Sequence, residues 1–103
     1  MLLNELAHSR TGDKGNIVTI SLIAYRREDF SILEREVTSD RVAAHFQELI
    51  DGPVLRYRLP QLGALNFVLP RPLSNSVTRS LALDAHGKCL GSALLAMEIA
   101  ARD

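Results

Sequence analysis

Tryptophan is absent from this chain, cysteine occurs once, and two tyrosines and three phenylalanines complete the aromatic set. A core built without tryptophan has to be aliphatic, packed from Leu, Ile, Val and Ala. The single cysteine, Cys89, excludes an internal disulfide and any cysteine-based metal cluster. Such cysteine usage fits a reducing cytoplasm. No apolar run approaches the roughly 18 residues that a membrane-spanning helix needs. The start, "MLLNELAHSR", reaches charged and polar residues too early for a secretory leader. These absences point to a cytoplasmic protein with no membrane partner.

What is present is hydrophobic residue in quantity, 47% of 103 positions, enough for one packed domain spanning residues 1–103. Twelve basic residues balance twelve acidic ones, but unevenly along the chain. The stretch 31–51 is acidic, whereas 52–83 carries Arg56, Arg58, Arg71 and Arg79 with no acid. Four arginines make a field that favours an anionic ligand or an acidic partner. They fall far short of a nucleic-acid stripe, and stacking aromatics are lacking, so no nucleic-acid partner is expected.

Hydrophobic periodicity divides the chain into elements. "LLNELAHS" reads as a first strand, "TGDKG" as a loop, and "NIVTISLIAY" as a second strand. In that second strand Val18, Ile20, Leu22 and Ala24 share one face, as in a central strand covered on at least one side. Phe30, Leu33 and Val37 then recur at helical spacing. "TSDRVAAHFQELI" follows as a helix with Thr38 or Ser39 as N-cap, Val42, Phe46 and Leu49 on one face, and Gly52-Pro53 as its stop. "PVLRYRLP" alternates again, with Leu55, Tyr57 and Leu59 on one face and Arg56 and Arg58 on the other. "ALNFVL" fits either a strand or a buried helical turn, "PRPLSNS" a loop, "VTRSLALD" a strand and "DAHGK" a turn. In the tail Leu90, Leu94 and Met97 recur at helical spacing, with a final strand as the alternative. Strands and helices in this order make an α+β fold: a largely antiparallel sheet with helices packed on one face.

The candidate chemistry centres on "SRTGDKGN", residues 9–16. Consecutive N–H groups in a Gly-rich turn can cradle an anion, with Arg10 or Lys14 adding charge. The same glycines can equally be turn residues, with Asp13 bonding its own turn. Neither a Walker spacing nor a G-x-G-x-x-G follows a strand. The constellation singled out is Arg10, Asp13, Lys14 and Asn16 from this loop with Asn66 and Arg79 from the later half. Asn66 and Arg79 interrupt apolar runs, and each needs a partner if buried. That need is met by a ligand site or by a structural network tying the loop to the sheet.

Other chemistry is weaker. His8, His45 and His86 lack the spacing of a preformed metal pair, so no metal and no cofactor is expected. Cys89 lies beside Lys88 and His86, which could activate a thiol, but a lone cysteine is more often a small core residue. Glu34, Glu36, Asp40 and Glu48 read as a solvated helical face. With no nucleophile elbow and no acid–base pair, the chain is not expected to be an enzyme by itself.

Taken together and in order, "LAHSRTGDKGNI", "RVAAHF", "RYRLPQLGALNFVL" and "TRSLALDAHGK" resemble the small C-terminal domain of the acyclic terpene utilisation (AtuA-like) family. The resemblance runs from about Leu6 to Ile99 and suggests a stand-alone copy of that domain. It implies a ferredoxin-like α+β sandwich and a setting in bacterial catabolism of acyl-CoA or terpenoid-type compounds. It also raises the weight of residues 9–16, Asn66 and Arg79, although it supplies no catalytic assignment. One departure is visible: "PLSNSV" stands where the family pattern leads us to expect a glycine-rich loop. The leading expectation is a non-catalytic accessory or assembly module, homo-oligomeric or paired with a separate large subunit. The alternative is a binding domain for an anionic small molecule, an acyl-CoA or carboxylate, at Ser9–Asn16.

Overall fold

A computed structural model describes residues 1–14, 17–47, 50, 52–70 and 88–100, with backbone alone at 13, 14, 88 and 89. Among these residues four strands form one antiparallel sheet in the order β1-β2-β4-β3: β1 is Ala7–Lys14, β2 Ile17–Ala24, β3 Leu55–Leu59 and β4 Ala64–Pro70. Three α-helices among the described residues accompany it: α1 (Phe30–Glu36), α2 (Ser39–His45) and α3 (Lys88–Leu95). The fold is the expected α+β sandwich, ferredoxin-like in class, with its core between the helices and one sheet face.

That core follows from the alternation in β2 and β4. Val18, Ile20 and Leu22 of β2 and Leu65, Phe67 and Leu69 of β4 are all sealed from solvent. Phe30, Ile32 and Leu33 of α1, Val42 of α2, and Leu90 and Leu94 of α3 pack against them. Each such side chain contributes about 1.5–3 kcal/mol by leaving water. "ALNFVL" is therefore a central strand, and the Leu90–Leu94 spacing belongs to a helix. Met97 follows that helix into the core, 5% exposed. The chain ends then clasp: Leu3 N–H donates to Met97 C=O (2.9 Å) and Ile99 N–H to Met1 C=O (2.9 Å).

Three sequence expectations are corrected. The first strand does not begin at Leu2. Leu2 is extended and bridges Glu98, Leu3–Glu5 forms a 3-10 turn, held by Leu2 N–H donating to Glu5 Oε2 (3.0 Å), and the strand itself starts at Ala7. "TGDKG" is not a loop through its length, because Thr11, Gly12, Asp13 and Lys14 belong to β1 and pair with Ile20, Thr19, Val18 and Ile17. The ladder with β2 fixes their conformation and overrides the turn preference of Gly-Asp. Finally, α2 ends at His45, well short of Gly52. Phe46 takes a non-helical C-cap conformation while remaining 2% exposed, so its periodicity reports burial, not helix length. Thr38 is the N-cap, its Oγ1 accepting from Arg41 N–H (3.1 Å). The readings of "PRPLSNS", "VTRSLALD" and "DAHGK" lie outside the described residues.

Candidate interaction surface

Alternation along each strand divides the sheet into a helix-covered face and a second face that no described element covers. Three full register rows, with a shorter one of Lys14, Ile17 and Pro70 beyond them, build the second face. His8, Ile23, Ala64 and Leu59 lie across it in one row, Arg10, Ser21, Asn66 and Tyr57 in the next, and Gly12, Thr19, Val68 and Leu55 in the third. Several of its apolar side chains meet solvent, Leu55 48% exposed, Tyr57 52% and Ile17 44%, whereas Ala64 is buried. Leu62 and Tyr25 stand exposed at its rim, with His8 stacked on Tyr25 at 5.3 Å between ring centres.

The inversion in β3 explains this face. Its apolar triplet Leu55, Tyr57 and Leu59 points outward, while Arg56 and Arg58 take the helix side. There Arg56 Nη1 donates to the Glu34 and Val37 carbonyls, each at 2.9 Å. These carbonyls sit at the C-terminal end of α1, where a helix leaves acceptors unpaired and a cation is favourable. Arg58 pairs with the Glu34 carboxylate. Two arginines of the basic stretch therefore anchor a helix end.

Of the six residues singled out from sequence, the sheet brings Arg10 and Asn66 into one row with Ser21 between them. Ser21 Oγ donates to Asn66 Oδ1 at 3.2 Å, which satisfies the carbonyl side of a half-buried amide. Asp13 and Lys14 extend the same strand, their backbones paired with Val18 and Ile17. Their side chains, together with Asn16 and Arg79, lie outside the described residues. Arg10 itself is exposed and makes no hydrogen bond or ion pair with the described residues. It borders a depression of about 420 Å³ lined by His8, Ser21, Ile23, Leu59, Leu62 and Ala64. At the opposite end of the face, Ile17, Pro53, Leu55, Val68 and Pro70 line a second, smaller one of about 240 Å³.

Sequence reasoning did not single out Ser21, Leu55, Tyr57, Leu59 or Ile17 as surface residues. The available signal was the strict alternation of "LRYRL", whose polar residues are two arginines able to cap a helix. Among the described residues no three His, Cys, Asp or Glu side chains gather into a possible metal site. Nor is any described helix long and apolar enough to cross a membrane. His45 ties α2 to α3, its Nε2–H donating to the Ala93 carbonyl at 2.7 Å.

No curated protein and no solved structure matches the chain. A family model does, that of the AtuA ferredoxin-like domain, over residues 1–100. With nearly all of its length matched, and with a four-stranded antiparallel sheet backed by helices on one side, the chain belongs to the AtuA ferredoxin-like domain family.

Proposed function

We propose that this chain is a non-catalytic accessory module that assembles through the sheet face that no described element covers. Its partner is a second copy or a separate large subunit serving bacterial acyl-CoA or terpenoid-type catabolism. One observation carries the reading: Leu55, Tyr57, Leu59 and Ile17 stand in solvent on one sheet face, while on the other face β2 and β4 bury the core and β3 turns Arg56 and Arg58 to the end of α1. A contiguous apolar face of this kind marks an interaction site in a soluble domain. The test is Leu55→Asp, read by light-scattering mass alone and in mixture with a large domain of the family. Loss of association by a chain that still unfolds cooperatively supports the reading. Association unaffected by Leu55→Asp and by Leu59→Asp refutes it.

A second reading rests on Arg10. Its guanidinium borders an apolar depression and has no partner among the described residues, an arrangement suited to a carboxylate or acyl-CoA. A thermal-shift screen against CoA, acyl-CoAs and simple carboxylates tests it. A stabilising ligand whose effect disappears in Arg10→Ala supports it, and a shift that survives Arg10→Ala removes it.

A further inference from the structure

We infer that the occupant of the uncovered sheet face is a second copy of this chain, packed face to face about a two-fold axis parallel to the strands. The inference rests on the assembly reading above and names its partner. It follows from how charge and side-chain size are arranged on the three register rows.

Two identical faces can pack only about an axis lying in the interface, and two orientations respect the strands. An axis perpendicular to the strands lays β1 on β1, and so Arg10 near Arg10 of the second copy. Arg10 is the one guanidinium in these rows, and no carboxylate accompanies it. Bringing two such charges together in a drying interface is costly. An axis parallel to the strands instead lays β1 on β3 and β2 on β4. Arg10 then meets Tyr57 of the second copy, a cation over an aromatic face. Ser21 meets Asn66, hydroxyl to amide.

Size agrees with charge. The same operation sets Gly12, which has no side chain, against Leu55 of the second copy, and Ala64 against Ile23. Small residues thus face large ones, the condition for interdigitating two sheets. The normal crossing angle of about −30° between packed sheets preserves this correspondence best on the central strands β2 and β4, where Ser21, Asn66, Ile23 and Ala64 lie.

Area agrees as well. Four strands at normal spacing, paired over about seven residues, give a face of about 450 Å² in projection. Side chains standing on it expose more than that, and a standard interface needs about 800 Å² of accessible surface per partner. The face is of the right order for a stable dimer.

The experiment uses the full chain carrying Cys89→Ser, with Arg10→Cys and Tyr57→Cys introduced singly and together, and a bismaleimide cross-linker of about 10 Å span, matched to the spacing of packed sheets. The double variant should give a covalent dimer on a denaturing gel, and each single variant should give none. Efficient cross-linking of Arg10→Cys alone would overturn the inference in favour of the other axis. In parallel, the unsubstituted chain should sediment as a dimer and Leu55→Asp as a monomer. A monomeric unsubstituted chain overturns the second copy as occupant. If such a monomer binds a large subunit and loses that binding on Leu55→Asp, the assembly reading survives alone. A dimer indifferent to Leu55→Asp overturns both.

Discussion

Gly91 of α3 lies so close to Thr11 of β1 that a Cβ at position 91 would stand 2.5 Å from Thr11 Oγ1 and 2.7 Å from Ser9 Oγ. The segment that looked like an anion cradle therefore has a structural duty on its helix-facing side. Ser9 and Thr11 provide the surface on which α3 rests, and only glycine permits that approach. Exposed helix positions normally gain about 1 kcal/mol on Gly→Ala, but overpacking costs about 1–3 kcal/mol. Gly91→Ala is expected to be net destabilising in urea unfolding, and Gly91→Val more so. Combining Gly91→Ala with Thr11→Ala and Ser9→Ala should recover most of the loss. A stabilised single Gly91→Ala would contradict the close packing.

Arg56 and Arg58 are neighbours with different energetic weights. Arg56 satisfies two helix-end carbonyls from a half-buried position. Removing a charged donor there costs about 1.5–3 kcal/mol. Arg58 is an exposed partner of Glu34, a type of pair typically worth about 0–1 kcal/mol. Urea midpoints should therefore fall clearly for Arg56→Ala and hardly at all for Arg58→Ala.

Glu36 makes stability depend on acid. Its carboxylate accepts from Ala100 N–H (3.1 Å), Arg35 Nε (3.0 Å) and Arg41 Nη1 (3.0 Å). The backbone donor Ala100 first, then the two arginines, hold its pKa below the usual 4.5 against the opposing effect of burial. A carboxylate with a depressed folded-state pKa adds stability that is complete above its unfolded value. That stability disappears as pH falls through the lower folded-state value. Glu36→Gln should therefore lower the melting temperature at neutral pH and flatten its decline below about pH 4.5. Parallel acid-limb curves for the two chains would contradict this role.

Gly63 closes the β3–β4 connection with φ +63°, its N–H donating to Pro60 C=O (3.1 Å) and its own carbonyl accepting from Ala24 N–H (2.9 Å). A Cβ there meets Arg27 only at ordinary contact distances. The cost of Gly63→Ala is thus backbone strain alone, about 1–2 kcal/mol, and differential unfolding of the two chains measures it.

Much of this architecture is legible in the sequence, for reasons visible at particular residues. Val18, Ile20, Leu22 and Ala24 alternate because one side of β2 faces a core, and Leu90 and Leu94 repeat because one side of α3 does. Thr38 caps its helix through a local hydrogen bond. Where reading by pattern stopped, long-range contacts decide. Gly12 is a strand residue because β2 pairs with it, and nothing local in "TGDKG" announces that. "FQELI" continues a helical period after the helix itself has ended. Of the candidate site, Arg10 and Asn66 share a row, but their link through Ser21 depends on a register of 45 residues' separation. The outward turn of Leu55, Tyr57 and Leu59 is settled by Arg56 reaching the end of α1, a contact between segments about twenty residues apart.

The central claim is that the uncovered sheet face is an assembly surface, and sedimentation velocity over a concentration series tests it most directly. The account predicts that the unsubstituted chain associates, that Leu55→Asp abolishes the association while the chain stays folded, and that Arg58→Ala, on the opposite side of the same strand, leaves it intact. Equal sedimentation of the unsubstituted and Leu55→Asp chains at every concentration, alone and with a large domain of the family, would contradict it.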